Sequence, residues 1–264
     1  MATVPRQPAA RLRMPDDSYG KLSVRPLHIL VFLAPLMVLY EVGLVFYLSS
    51  ADGSFRETIR AHETLSRFFE QFGQSSLYLP GIALTVVLIV WHLASRDPWR
   101  VRWGTVAGMG FESVLWMVPL LVFGLVMSMD LDGHPKPAMM AGAGMSGESW
   151  QARATLSVGA GLYEELLFRL LLVTGLHALF FDLLKLKETP ACVLAVIGSA
   201  VAFTIYHDVS FFGGTPFHTV LFYTVAGGYF GVVFLLRGFG IVVGTHAAYD
   251  IMVLVVMPLL RGSH

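Results

Sequence analysis

The chain has 264 residues, of which 55% are hydrophobic and only 14% charged, with a mean hydropathy of +0.67; an ordinary soluble domain carries roughly 25% charged residues. This composition predicts a membrane protein. Lys plus Arg and Asp plus Glu both number 18, so no basic field marks nucleic acid as a partner. The one cysteine, Cys192, excludes an internal disulfide and a cysteine-rich metal site. Set among Ala191, Val193 and Leu194, it reads as a small hydrophobe, because a nucleophilic cysteine needs an electropositive setting.

Residues 1–27 form a segment with Arg6, Arg11, Arg13, Lys21 and Arg25. They lack the small-residue cleavage site that would make the following apolar run a removable signal peptide. At about 20 apolar residues per span, helices are expected near 28–49, 77–95, 104–129, 152–180, 190–210, 216–236 and 239–260. The fold class is all-α, a polytopic transmembrane bundle of about seven to eight helices. Residues 28–260 form a single domain with its core motifs in 150–255. Between the first two spans, residues 51–76 place Phe55, Ile59, His62, Leu65, Phe68, Phe69 and Phe72 three or four apart, with Arg56, Glu57, Arg60, Glu63 and Arg67 between them. That spacing predicts an interfacial amphipathic helix. Residues 130–150, with Pro135, Pro137 and four glycines, read as a connector. Small residues at four-spacing, Gly104/Gly108, Gly227/Gly231 and Gly240/Gly244, are expected to let helices pack closely. Residues 261–264, Arg261-Gly-Ser-His264, read as the start of an expression tag and are set aside.

The basic residues of the N-terminus, Arg96, Arg100 and Arg102, Lys185 and Lys187, and Arg237 all fall on one side of these spans. The positive-inside rule makes that side the cytoplasm, with the N-terminus in it. Short cytoplasmic loops and compact size fit a multi-pass protein of a bacterial inner membrane.

The fourth span holds the run Gly161-Leu-Tyr-Glu-Glu-Leu-Leu-Phe-Arg-Leu-Leu-Leu-Val173. A charged side chain at bilayer depth costs about 2.5–3.5 kcal/mol on insertion scales, so such residues face the protein interior and mark a pathway or an active site. Glu165 and Arg169 stand four apart, acid first, the favoured order for a same-face ion pair. Glu164 is rotated about 100° from Glu165 and is left for chemistry. Two later segments, Phe203-Thr-Ile-Tyr-His207 and His246-Ala-Ala-Tyr-Asp250, put Phe203 beside His207 and His246 beside Asp250. A carboxylate in an apolar pocket can take a proton from water and pass it to a leaving amine. Histidines could hold that water, or polarise a peptide carbonyl and stabilise the oxyanion. One conflict remains in this topology. His246 comes early in its span and His207 late, so ideal straight spans put the two rings at different depths; uneven or re-entrant helices would reconcile them, because irregular backbone is tolerated where it lines a buried cavity.

These three motifs, in this order, resemble the CAAX protease and bacteriocin-processing family of intramembrane endopeptidases, over roughly 150–255. The resemblance implies Glu164 as catalytic base, Glu165 and Arg169 as its supporting pair, and His207 and His246 as the water-binding and oxyanion-side histidines. Asp250 stands where the prenyl-processing branch is similar to an oxyanion-stabilising Asn. An ionised Asp cannot donate a hydrogen bond, so Asp250 is either protonated or orients His246. The resemblance also implies a membrane-embedded or membrane-anchored protein or peptide as substrate, and the lipid bilayer as medium.

Other chemistries meet the same letters less well. Gly144-Met-Ser-Gly147 imitates a rhomboid-type serine site but lies in the polar connector; the Gly-x-Gly-Asp of aspartyl intramembrane proteases and the His-Glu-x-x-His of zinc proteases do not occur. Glu164, His207 and His246 could bind zinc with a fourth position for water. That would leave no residue free as base, since Glu165 is held by Arg169, so the expected cofactor is none. The non-enzyme alternatives are a transporter or proton relay and an inactive membrane scaffold.

Overall fold

The computed structural model describes residues 17–48, 59–71, 78–128, 148–209, 211, 214–260 and 262. Most of the 130–150 connector, the Gly144–Gly147 run, residues 1–16 and nearly all of the tag-like end lie outside the described residues, as do the flanks of the 51–76 segment. Among the described residues the chain is helical and without strands: α1 (Pro26–Tyr47), α2 (Arg60–Glu70), α3 (Leu79–Ser95), α4 (Trp103–Ser128), α5 (Trp150–Leu183), α6 (Glu188–Tyr206), α7 (Phe217–Arg237) and α8 (Phe239–Leu260). All except α2 and α3 are long and apolar enough to cross a membrane, and α3, at 17 residues, reaches about 26 Å at 1.5 Å per residue. The protein is an all-α polytopic bundle, an integral multi-pass membrane protein. The expected interfacial helix is α2, and it is the most amphipathic of the set: Ala61 and His62 are buried while Glu63, Thr64, Arg67 and Glu70 are exposed.

Local signals set the helix starts. Pro26 occupies the first turn of α1 behind an extended Arg25, where a missing N–H costs nothing. The Ser149 hydroxyl caps α5 by accepting from the Ala152 N–H at 3.2 Å. Within α5 the hydrogen-bond ladder widens to π-helical turns over Ala160–Glu164, Leu166–Val173 and Leu179–Leu183. Such widened turns recur at functional sites, and two of them flank Glu165.

Helix α8 is the core of the bundle. It packs on α1, α4, α5 and α7, and every residue from Phe239 to Ala247 is buried. Small residues make this approach feasible. A Cβ on Gly244 would stand 2.3 Å from Ser113 Oγ, and one on Gly161 would stand 2.8 Å from the Ala247 backbone nitrogen. Gly108, Gly227, Gly231 and Gly240 are similarly crowded, whereas Gly104 has nothing within 4 Å, so the packing expectation fails at that position.

The depth conflict between the two histidines resolves through the helix ends. Helix α5 has 34 residues, up to roughly 50 Å of helix against a hydrocarbon core of about 30 Å. Its far end and the start of α6 are exposed from Phe181 to Pro190, apart from a half-buried Leu186. α8, in contrast, starts inside the bundle: Phe239 follows Gly238 directly, in a turn that needs the glycine's φ of +81°, and Phe239 is 1% exposed. Counting from α6's start therefore begins farther out than counting from α8's. Helix α6 also ends at Tyr206, short of the expected 210, leaving His207 just past its last turn.

Candidate active site

The structure brings Glu164, Glu165, Arg169, Phe203, His207, His246 and Asp250 into one cluster at the junction of α5, α6 and α8. The Arg169 Nε atom lies 3.1 Å from Glu165 Oε2, with both side chains wholly buried. It is a close ionic contact whose angle falls short of a hydrogen bond. Arg169 also donates from Nη2 to the Gly227 carbonyl at 3.2 Å. Its guanidinium carbon lies 4.7 Å from the Phe203 ring centroid, 5.5 Å from Phe230 and 5.8 Å from Phe168. A cation removed from water is thus met by one carboxylate, one carbonyl and three aromatic rings. Phe203 has two neighbours at once, since it also touches the His207 ring with centroids 4.5 Å apart.

The second oxygen of Glu165 does something the sequence spacing does not reveal. Glu165 Oε1 accepts from His246 Nδ1 at 2.7 Å. A carboxylate on Nδ1 fixes the tautomer and turns Nε2 inward. Asp250 approaches the opposite nitrogen, with Oδ2 3.5 Å from His246 Nε2, so the orienting bond on His246 comes from Glu165. The His246 ring lies flat on Phe230, with centroids 4.5 Å apart and 18° between planes.

His207 is held in the same manner by different means. Its Nδ1 donates to the Phe203 carbonyl at 2.9 Å, because a carbonyl can only accept, and its ring stacks on Tyr223 at 4.4 Å. Its Nε2 therefore faces the site with a lone pair when the ring is neutral. Both inward nitrogens converge on Glu164: Oε2 is 3.7 Å from His207 Nε2 and 3.9 Å from His246 Nε2. Glu164 is 6% exposed, and Oε2 has no hydrogen-bond partner.

The other Glu164 oxygen has a partner that sequence reasoning missed. Tyr206 donates its hydroxyl to Glu164 Oε1 at 3.2 Å and accepts from the Ala61 N–H of α2 at 2.8 Å. Its signal was a phenol inside an apolar run next to His207, since a buried tyrosine hydroxyl needs a partner. Glu41 of α1, another acid in an apolar helix, meets the Tyr163 hydroxyl at 3.4 Å, beside the motif but not within the cluster. Among the described residues no group of three His, Cys, Asp or Glu side chains is arranged to hold a metal ion. Cys192 is a free, half-buried thiol.

No curated protein and no solved structure matches the chain. Residues 147–252 match the family model described as "Type II CAAX prenyl endopeptidase Rce1-like". The matched range contains every residue of the cluster, and the description is that of a protease. Over residues 147–252 the chain is thus similar to that family, consistent with the CAAX protease and bacteriocin-processing family that its three motifs resemble.

Proposed function

We propose that the chain is a metal-free glutamic intramembrane endopeptidase that cleaves a membrane-embedded or membrane-anchored protein or peptide. The observation that carries the reading is Glu164 Oε2, a buried carboxylate oxygen without a partner, faced by two imidazole nitrogens at 3.7 and 3.9 Å. Those separations are too long for direct hydrogen bonds and suit a water bridging the three groups. His207 Nε2 accepts one hydrogen of that water and Glu164 Oε2 takes the other as the oxygen attacks the peptide carbonyl. His246 is pre-aimed by Glu165, and in its protonated form donates Nε2–H to the oxyanion. Glu164 then returns the proton to the leaving amine. Asp250 lies on the Nε2 side, where its charge would support the imidazolium as it donates. Arg169 balances Glu165, so that two adjacent carboxylates can coexist in one apolar helix.

The same reading takes the N-terminus to be cytoplasmic, on the distribution of the basic residues, and the membrane to be a bacterial inner membrane, on the short cytoplasmic loops and compact size. Glu164→Gln tests the chemistry. Gln preserves the volume and still accepts from Tyr206, but cannot take a proton from water. Cleavage should fall by about 10²–10⁴-fold, the worth of a positioned base, while insertion and melting temperature stay unchanged. Parent-level cleavage by that variant would remove the mechanism, and would leave the transporter and scaffold alternatives in its place.

A further inference from the structure

We infer that the site is entered from the bundle end that carries α2, on the side of the membrane away from the cytoplasm, and that the substrate is therefore a membrane-anchored protein cut on its translocated flank. The substrate class rests on the protease reading above; the side of entry does not. Three observations carry the side.

The first is a groove of about 390 Å³ between α2 and the end of α6, walled by Arg60, Glu63, Arg67, Tyr206 and Asp208. Its charged side chains are solvated: the Arg60 and Asp208 side chains, which pair with each other, are 55% and 73% exposed, and those of Arg67 and Glu63 are 72% and 47% exposed. Tyr206 separates this wet groove from the base, since the same side chain that forms the wall donates to Glu164. Water is thus one phenol away from the reacting carboxylate at this end.

The second is that the opposite direction is closed. Between Gly238 and His246 the chain runs Phe239, Ile241, Val242 and Val243, each at most 1% exposed. These residues share one core cluster with Ile29, Leu33 and Met109. Beyond them Arg237 clamps onto both oxygens of Glu112. An apolar layer of this kind carries no water and leaves no path for a polar peptide backbone.

The third is the charge at the two ends. Helices α1, α3, α5, α6, α7 and α8 have one end in common that holds the basic positions 21, 25, 96, 100, 102, 185, 187 and 237. The α2 end is joined by chain segments holding Arg56, Arg60, Arg67, Lys136, Arg153 and Arg261, fewer basic positions than the other end, together with Glu57, Glu63, Glu70, Asp130, Asp132 and Glu148, and Arg60 and Arg67 are each paired with an acid. Lys and Arg bias fixes which end stays in the cytoplasm, so the groove faces the other compartment.

Two measurements test this. In a Cys192→Ser background, Thr64→Cys marks the groove and Ser95→Cys the basic end, with Glu70→Cys and Arg100→Cys as second probes; all four positions are exposed. A membrane-impermeant maleimide should label Thr64→Cys and Glu70→Cys in intact spheroplasts, and Ser95→Cys and Arg100→Cys only after lysis. The reverse pattern overturns the proposal. Terminal-peptide mass spectrometry of membranes from cells producing the parent or Glu164→Gln then finds the cut. New termini that depend on Glu164 and map to translocated flanks of anchored proteins support the substrate class, and termini on cytoplasmic segments overturn it. If labelling follows the expected pattern and no terminus depends on Glu164, the side of entry stands while the protease reading and its substrate class fall together.

Discussion

Among the described residues two carboxylate–guanidinium pairs lie in the apolar helices, Glu165–Arg169 within α5 and Glu112–Arg237 between α4 and α7, and their surroundings differ in what they leave open. Glu112 is saturated: Arg237 takes both oxygens, Trp116 Nε1 donates at 3.0 Å, and the Tyr19 hydroxyl donates as well. Side-chain exposures near 20% put this pair at the bundle rim, where it ties α4 to α7 and to the segment ahead of α1. Glu165 is fully buried and hands its second oxygen to His246, whose other nitrogen faces a carboxylate oxygen that has no partner. Buried charge alone therefore does not mark the site; a chain of oriented groups ending in an unsatisfied acceptor does.

The sharpest way to break the comparison is to neutralise each acid. Glu165→Gln leaves Arg169 buried opposite a neutral amide and removes the charge that aims His246. Losing one partner of a buried pair costs about 3–5 kcal/mol, so a large drop in melting temperature and a severe loss of cleavage are expected together. Glu112→Gln, at the rim, should cost roughly 1.5–3 kcal/mol, the scale of hydrogen bonds to charged groups, with cleavage per folded molecule unchanged. Thermal melts and single-turnover cleavage on both variants decide it. An inactive but well-folded Glu112→Gln protein would show that the rim pair belongs to the chemistry after all.

Much of this arrangement was legible in the sequence where the signal is local. Seven apolar segments appear as helices, and the four-spaced pairs Glu165/Arg169, Phe203/His207 and His246/Asp250 all meet, because helical periodicity places them side by side before any packing occurs. What the sequence did not disclose is set by packing between helices. Glu165 and His246 are 81 positions apart, and their hydrogen bond exists only because Gly161 lets α8 approach α5 closely. Tyr206 meets Glu164 and Ala61 across 42 and 145 positions. Straight, level spans put the two histidines at different depths, and the unevenness that reconciles them is again set by packing, since α8 begins inside the bundle and α6 outside it.

A smaller effect sharpens the role of the open acceptor. Tyr206→Phe deletes the hydroxyl that holds Glu164 Oε1 and that receives the α2 amide, without altering the ring's packing on Phe168. One hydrogen bond of about 0.5–1.5 kcal/mol corresponds to a loss of roughly 2–10-fold in turnover, with substrate affinity little changed. An affinity loss with intact turnover would assign Tyr206 to the groove wall alone. Asp250 divides similarly. Asp250→Asn keeps an acceptor near His246 Nε2 and should retain more rate than Asp250→Ala, and an Ala variant with parental rate would show that the 3.5 Å approach has no catalytic consequence.

The smallest expected effect is that of removing metal, and it bears on the comparison directly, because a zinc ion would replace the Arg169–Glu165–His246 chain as the source of electrostatic order. Donors about 2.0–2.2 Å from one tetrahedral zinc stand roughly 3.3–3.6 Å from one another, and Glu164 Oε2 stands 3.7 and 3.9 Å from the two ring nitrogens, so the test is chemical. The decisive property is the assignment of Glu164 as base. A metal site would lower the pKa of its own water toward 7, making Glu164 a ligand, and stripping the ion would stop cleavage until zinc was restored. The metal-free site needs only the hydrogen-bonded histidines, so purified protein should carry well under one equivalent of zinc by elemental analysis and keep its rate after exhaustive chelation. A water-soluble chelator is the informative one, because apolar phenanthroline-type compounds can enter an intramembrane cavity and inhibit by occupying it. Stoichiometric zinc whose removal and return track cleavage would move Glu164 from base to ligand.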